Sequence, residues 1–290
     1  MKLLLILMVC EPDKVIADLM LEQLVDLCAD VELHILIFDD ASESLVGEQL
    51  KQKYSEQIQG DVEVLRCASN RGYYRLQRNL FDMLQHAVTT GVSYDYVLKV
   101  DPDVHFTDRR IAMLLDVHKL PDRGSIGHIF KVRKRELVQI FGDLLPFGFR
   151  RRKIKEKIDH QWQWRFYRKV WWSDIGRKAI FRRNIRWVAP GSFYLVAWDS
   201  VLEIASRGYL DRDHERIGLV FGEDLLLSIL ITAIGHPMTA FTDIDPDFKC
   251  ALFLDESSSS AEVRAQRLYY IHPVKDTPAG IQLRRDLPLD

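Results

Sequence analysis

The chain has 290 residues, with 40 Lys or Arg against 42 Asp or Glu, a formal net charge of −2 and 47% hydrophobic content. This length and apolar content support one large folded domain or two small ones and exclude a disordered chain, and the near-neutral charge excludes a polyelectrolyte that holds nucleic acid by a global field. The four cysteines, Cys10, Cys28, Cys67 and Cys250, are widely separated and form no CxxC or Cys/His cluster, which supports neither a disulfide framework nor a zinc site and points to a reducing compartment.

The start, Met1 to Cys10, superficially imitates a targeting signal. Its charged region is a single lysine and its apolar run is short, so Leu3 to Val9 is expected as a buried first strand. Glu11-Pro12-Asp13 reads as a turn, and Lys14 to Ala29 carries apolar residues at helical spacing. Val31 to Phe38 reads as a second strand ending at Asp39-Asp40, followed by a loop and polar helix over Ala41 to Gln59. Val62 to Cys67 is a short strand, Tyr74 to Thr90 an amphipathic helix and Tyr94 to Val100 a fourth strand. This alternation predicts right-handed βαβ units and a largely parallel sheet over the first hundred residues.

Beyond Asp103 the rhythm changes. Ile111 to Val117 is expected as a helix, Ser125 to Val132 as a strand, Val188 to Ala197 as a strand, Ser200 to Arg207 and Asp224 to Ile234 as helices, and Thr239 to Phe241 as a short strand. Between them, Arg150 to Trp187 holds 14 Lys or Arg against three acids. Its stretch Gln161 to Trp172 mixes cations with tryptophans, a composition suited to a headgroup interface or an anionic acceptor, or to packed aromatics under solvated charges. No run approaches the about 18 apolar residues that a spanning helix needs.

Asp101 and Asp103 follow the fourth strand. Side chains at i and i+2 of an extended segment point to the same side, so the two carboxylates can share one divalent cation, Mn²⁺ or Mg²⁺, at the strand's carboxyl end. Asp39-Asp40 end the second strand in the same way and Glu223-Asp224 begin a helix. In a doubly wound sheet these ends converge on one crevice, where a cation with bound phosphates relieves the repulsion of the acids.

Leu36-Ile37-Phe38-Asp39-Asp40-Ala41-Ser42, Asn70-Arg71-Gly72 with Gln77-Arg78-Asn79, Asp101-Pro102-Asp103 and Gly222-Glu223-Asp224 stand in an order that resembles the motif series of GT-A-fold inverting glycosyltransferases, family 2 in particular, over about residues 1–240. The resemblance implies an α/β chain with a Rossmann-like, mostly parallel central sheet flanked by helices. It implies one domain over 1–256, made of a nucleotide-sugar half (1–105) and an acceptor half (106–256, with a basic aromatic insertion at about 133–187), and a C-terminal segment, 257–290, that returns to the active site.

It also implies roles. Asp39 or Asp40 would receive the nucleoside, with Asn70, Arg78 and Asn79 nearby. Asp101 and Asp103 would hold the cation that bridges the diphosphate, with His272 as a further ligand and Lys275 on phosphate. Asp224, seconded by Glu223, would be the base that deprotonates the acceptor hydroxyl. The expected activity is hexosyl transfer with inversion from a nucleotide-sugar, a UDP-sugar first, to a glycan or lipid-linked glycan. The expected location is cytoplasmic, with peripheral membrane contact through 150–187 and no nucleic-acid partner.

Two other readings compete. Haloacid-dehalogenase-like phosphatases also place Asp-x-Asp-Val after a strand, with the first acid, here Asp101, as nucleophile and later acids such as Asp243, Asp245 and Asp247 as metal ligands. That motif opens the first strand of such chains, whereas here two strand–helix units precede it. A non-catalytic glycan- or membrane-binding module would need neither acid pair.

Overall fold

The structure, a computed structural model, describes residues 1–71, 76–115, 120–131, 186–188, 192–211, 223–252 and 258–289. The first hundred residues alternate as β1 (Lys2–Val9), α1 (Lys14–Leu27), β2 (Glu32–Asp39), α2 (Val46–Tyr54), β3 (Val62–Arg66), α3 (Leu76–Thr89) and β4 (Tyr96–Val100). β1 is apolar on both faces because both are covered. Leu3, Leu5, Leu7 and Val9 pack into one core with Ala17, Met20, Leu21 and Leu24 of α1 and Val46, Leu50 and Tyr54 of α2. Leu4, Ile6 and Met8 pack into a second core with Leu80, Phe81, Met83 and Leu84 of α3.

After β4 the chain forms β5 (His105–Phe106), β6 (Ser125–Gly127), β7 (Ile129–Lys131), β8 (Arg186–Val188), β9 (Phe193–Ala197), α4 (Trp198–Ser206), α5 (Glu223–Ile234), β10 (Met238–Ala240) and α6 (Phe241–Ile244). It ends with β11 (Cys250–Leu252), α7 (Ser260–Ala265), β12 (Tyr270–His272) and α8 (Pro278–Asp286). Helices α4 and α5 join α3 on the second core through Trp198, Val201, Leu226, Leu230 and Ile234.

The main sheet runs β3-β2-β1-β4-β9-β6-β10. β1 to β4 are mutually parallel, β9 is antiparallel to both β4 and β6, and β10 is parallel to β6. Strand order reverses between β1 and β4, so the carboxyl ends of these two strands frame the crevice where open α/β sheets bind ligands. A second sheet of three strands runs β11-β12-β5, and β7 pairs with β8 as a ribbon.

Three expectations change. Arg109–Leu115 is a 3₁₀ helix rather than an α-helix, and its buried Ile111 and Leu114 stand three residues apart, the spacing that a three-residue turn eclipses. The run Ser125 to Val132 divides at His128, β6 joining the main sheet and β7 the ribbon. Val188 to Ala197 divides likewise between β8 and β9. An apolar run shows where a strand can form and not which partner it takes, so a change of sheet leaves no mark on it. Ala189-Pro190-Gly191 and the basic region, apart from Arg186 and Trp187 on β8, lie outside the described residues. Among the described residues no helix is long and apolar enough to cross a membrane.

Candidate functional site

β4 is buried along its whole length and is followed by Asp101, whose backbone N–H donates to Ser192 O (2.9 Å), while Val104 N–H donates back to Asp101 O (3.1 Å). This closes a tight turn that leaves Asp101 and Asp103 at the switch point. The chain then enters β5, which pairs antiparallel with β12 through Ile271↔His105 and Tyr270↔Phe106. Continuing that register sets His272 opposite Val104, and Val274 N–H donates to Asp103 O (2.8 Å). A strand 170 positions downstream thus delivers an imidazole onto the acid pair. His272 Nε2 lies 3.1 Å from Asp103 Oδ1 and 3.6 Å from Asp101 Oδ2.

Cations from three places neutralise these acids. Lys99, fully buried on β4, pairs with Asp101, and Lys275 pairs with Asp103. Burial by itself would raise the Asp103 pKa, but hydrogen bonds and charge from His272 and Lys275 outweigh it and hold the carboxyl well below the usual range. Burial likewise opposes the imidazolium, yet both carboxylates raise the pKa of His272 to about 9.

One donor atom each from Asp101, Asp103 and His272 lies within 4.8 Å of the other two. Ligand atoms on a cation with bonds of about 2.1 Å lie about 3 to 4 Å apart, so small side-chain rotations would seat one. Two carboxylates and an imidazole suit Mn²⁺, and a cation entering there would displace the imidazole proton. The residues present therefore fit a divalent cation.

A fourth carboxylate, Asp13, stands beside this cluster and was not singled out in the sequence. It follows β1 at the other side of the switch point and accepts from Cys10 N–H (3.0 Å) and Cys10 Sγ (2.9 Å). Burial raises its pKa, the nearby Asp103 adds to the rise, and Lys275 opposes it. The available signal was topological: Asp13 sits on the loop after the strand at which the order reverses.

The acids after β2 behave differently. Asp39 is fully buried and accepts from Ser42 N–H (2.7 Å), Ser42 Oγ (2.8 Å) and Gly47 N–H (3.0 Å). Ser42 Oγ in turn accepts from Val46 N–H (2.8 Å), which ties this turn to the start of α2. A Cβ at position 47 would stand 2.9 Å from Val64 Cγ1 and 3.0 Å from Asp39 Cβ, so glycine permits the close approach.

Asp40 is buried at the edge of the turn and accepts from Arg71 N–H (2.7 Å). The Arg71 guanidinium lies over Phe38 and reaches Asn79 Oδ1 (3.2 Å) and Asp82 Oδ2 (2.8 Å). Arg78 pairs with the other oxygen of Asp82 (2.8 Å). Asn79 is buried, whereas Asn70 is exposed on the loop that leads to Arg71. Gly72 lies outside the described residues.

Asp224 lies in the first turn of α5 and is buried, and its carbonyl accepts from Ser228 Oγ (2.7 Å). It is not one of the three groups that converge at the cation position. Glu223 opens the same helix; its side chain and Gly222 lie outside the described residues. Two of the later acids that the phosphatase reading needs accept hydrogen bonds. Asp243 accepts from Ala240 N–H (3.0 Å), while Asp245 accepts from Asp247 N–H (3.0 Å) and from Tyr269 OH.

No family model and no curated protein matches the chain. Solved structures do. The apo structure of the bifunctional glycosyltransferase WbbM matches 99% of this chain and 50% of its own at 10% identity, with a TM-score of 0.52. A galactosyltransferase, LgtC, in complex with donor and acceptor sugar analogs matches 99% of this chain and 97% of its own at 10% identity, with a TM-score of 0.49. The mannosyltransferase PcManGT from Pyrobaculum calidifontis, in complex with GDP-Man and Mn²⁺, matches 98% and 60% at 13% identity, with a TM-score of 0.46. The likeness to WbbM, half of whose length the chain spans, is one of fold. The mixed sheet flanked by helices is the GT-A architecture.

Proposed function

We propose that the chain is a divalent-cation-dependent glycosyltransferase that moves a hexosyl group from a nucleotide-sugar, a UDP-sugar first, to a hydroxyl of a glycan or lipid-linked glycan, with inversion. The observation that carries this reading is the meeting of Asp101, Asp103 and His272 beside Lys275, at the switch point of a GT-A sheet. When bound, a cation held by Asp101, Asp103 and His272 supplies Lewis-acid neutralisation of the diphosphate that leaves.

The chain's own residues do the rest. Lys275, with more than half of its side chain exposed, can turn from Asp103 to a phosphate oxygen. Lys99 remains beneath Asp101 and limits the charge of the acid pair. Asp40 and Arg71 form the nucleoside side of the crevice, with Asn79 behind them. Asp224 takes the proton from the acceptor hydroxyl at the start of α5, a rigid element, and attack opposite the departing diphosphate inverts the anomeric centre. The lipid-linked option is supported by composition alone, the cations and tryptophans of 161–172.

Thermal stabilisation by a panel of nucleoside diphosphates with and without Mn²⁺ tests the donor class. A shift with UDP that requires Mn²⁺ is expected, and no shift with any nucleotide would sink the proposal. Product anomeric configuration by NMR tests inversion separately.

A further inference from the structure

The last helix, α8, presents one cation to the back of the site. Arg284 is 5% exposed, and its guanidinium donates through Nη1 to Val104 O (3.0 Å) and through Nη2 to Val274 O (3.0 Å). Val104 follows Asp103 directly, and Val274 lies between Pro273 and Lys275. One side chain therefore grips the two loops that carry the cation ligands, at positions 170 residues apart. The loops touch directly through Val274 N–H and Asp103 O, so the guanidinium closes a second bridge beside that bond.

This is an expensive way to hold two loops together. Arg284 makes no ion pair among the described residues, and its Nε is buried without a partner. Burial disfavours the guanidinium more than the charges of Asp103 and Asp276, neither of which it pairs with, favour it, and apolar packing there would serve stability as well or better. What an apolar residue lacks is a fork. A planar guanidinium presents donors at fixed separation and so sets the distance between two carbonyls, which a single ammonium cannot do. The helix that carries it is itself anchored. Thr277 Oγ1 caps its start by accepting from Gly280 N–H (3.0 Å), and His105 Nε2 on β5 lies 2.7 Å from Leu287 O at its end. Leu283 and Leu287 pack with Val263, Leu268, Ile271 and Val274 in a small core of their own.

We propose that Arg284 is a positioning residue that sets the spacing between the Asp101–Asp103 turn and the His272–Lys275 segment, and thereby the divalent-cation affinity of the site. The inference rests on the cation-binding reading above. Residues that orient metal ligands typically change affinity by about 10- to 100-fold when replaced.

The test is Mn²⁺ affinity, measured by calorimetry well below the unfolding temperature, for the parent chain, Arg284→Gln and Arg284→Lys. Gln is expected to weaken Mn²⁺ binding about 10-fold or more. Lys, which retains the charge but not the fork, is expected to weaken it at least about three-fold. Both should raise KM for the nucleotide-sugar more than they lower kcat, a split that lost stability alone would not produce. Should the Gln variant fail to fold, the Lys variant carries the same comparison. Affinities within two-fold of the parent in folded variants would overturn this inference alone. A parent chain that binds no Mn²⁺, with or without UDP, would overturn the cation site and this inference with it.

Discussion

Two acid pairs end parallel strands of the same sheet, Asp39-Asp40 after β2 and Asp101-x-Asp103 after β4, and their surroundings divide them. The Asp39 carboxylate accepts from Ser42 and Gly47, both within eight residues, with the Arg66 guanidinium 3.8 Å away, and it fastens a turn to a helix. The Asp101 and Asp103 carboxylates are met by Lys99, His272 and Lys275, two of which come from a segment 170 residues away. Fixed backbone donors hold a carboxylate permanently. An imidazolium and a half-exposed ammonium can be exchanged for a cation and phosphates. The identity of the partners, and not the presence of acids, separates Asp39 from the Asp101 and Asp103 pair.

The sharpest break of this comparison is Asp103→Asn. It should lower kcat/KM by at least about 10³-fold, since cation assistance supplies several kcal/mol, and should abolish measurable Mn²⁺ binding by calorimetry. Next is Asp224→Asn, which should reduce kcat by about 10²-fold or more while Mn²⁺ and UDP affinities stay within two-fold of the parent. Unchanged turnover would remove Asp224 from the mechanism.

Asp39→Asn should do the reverse of Asp103→Asn. An amide group would face the donors of Ser42 or Gly47, so unfolding free energy should fall by about 2 to 4 kcal/mol in urea titrations, with Mn²⁺ affinity at 25 °C unchanged in the fraction that folds.

A pH series sharpens the contrast on the side of β5. Burial, with the charge of Arg284, lowers the pKa of His105 from 6.5 to about 3. The unfolded chain then binds a proton that the folded chain refuses. The contribution of His105 is complete above pH 6.5 and is lost as pH falls toward 3, by roughly 1 to 3 kcal/mol at pH 4.5. His105→Gln, whose amide can still donate to Leu287 O, should flatten that slope in denaturant midpoints measured from pH 7 to 4.5.

The smallest effect is Arg78→Ala. Loss of its i,i+4 pair with Asp82 on the surface of α3 should change stability by no more than about 0.5 kcal/mol, with a KM for the nucleotide-sugar raised a few-fold.

The parallel half of the fold was legible because its signals are local. The runs Leu3 to Val9 and Val31 to Phe38 are apolar on both faces, the helices between them repeat at 3.6 residues, and each strand lies within two residues of its expected bounds. The later strands were read as single runs because the ribbon β7–β8 and the reversed strand β9 depend on pairing, which period cannot reveal. Motif order also treated Asp39 and Asp40 as interchangeable. The difference between them comes from Gly47 and the turn of α2, a matter of where backbone donors point.

The sequence by itself determined the alternation of strands and helices over the first hundred residues and the presence of two carboxylates after the fourth strand, since hydrophobic period and strand alternation are properties of neighbours along the chain. Motif resemblance brought His272 and Lys275 to the same site, but only the tertiary structure decided that the strand order reverses between β1 and β4, that both side chains pair with Asp103, that Asp13 stands beside them and that Arg284 bridges the two loops from behind. These meetings depend on the antiparallel register of β12 with β5, and register is set by packing between segments far apart in the chain.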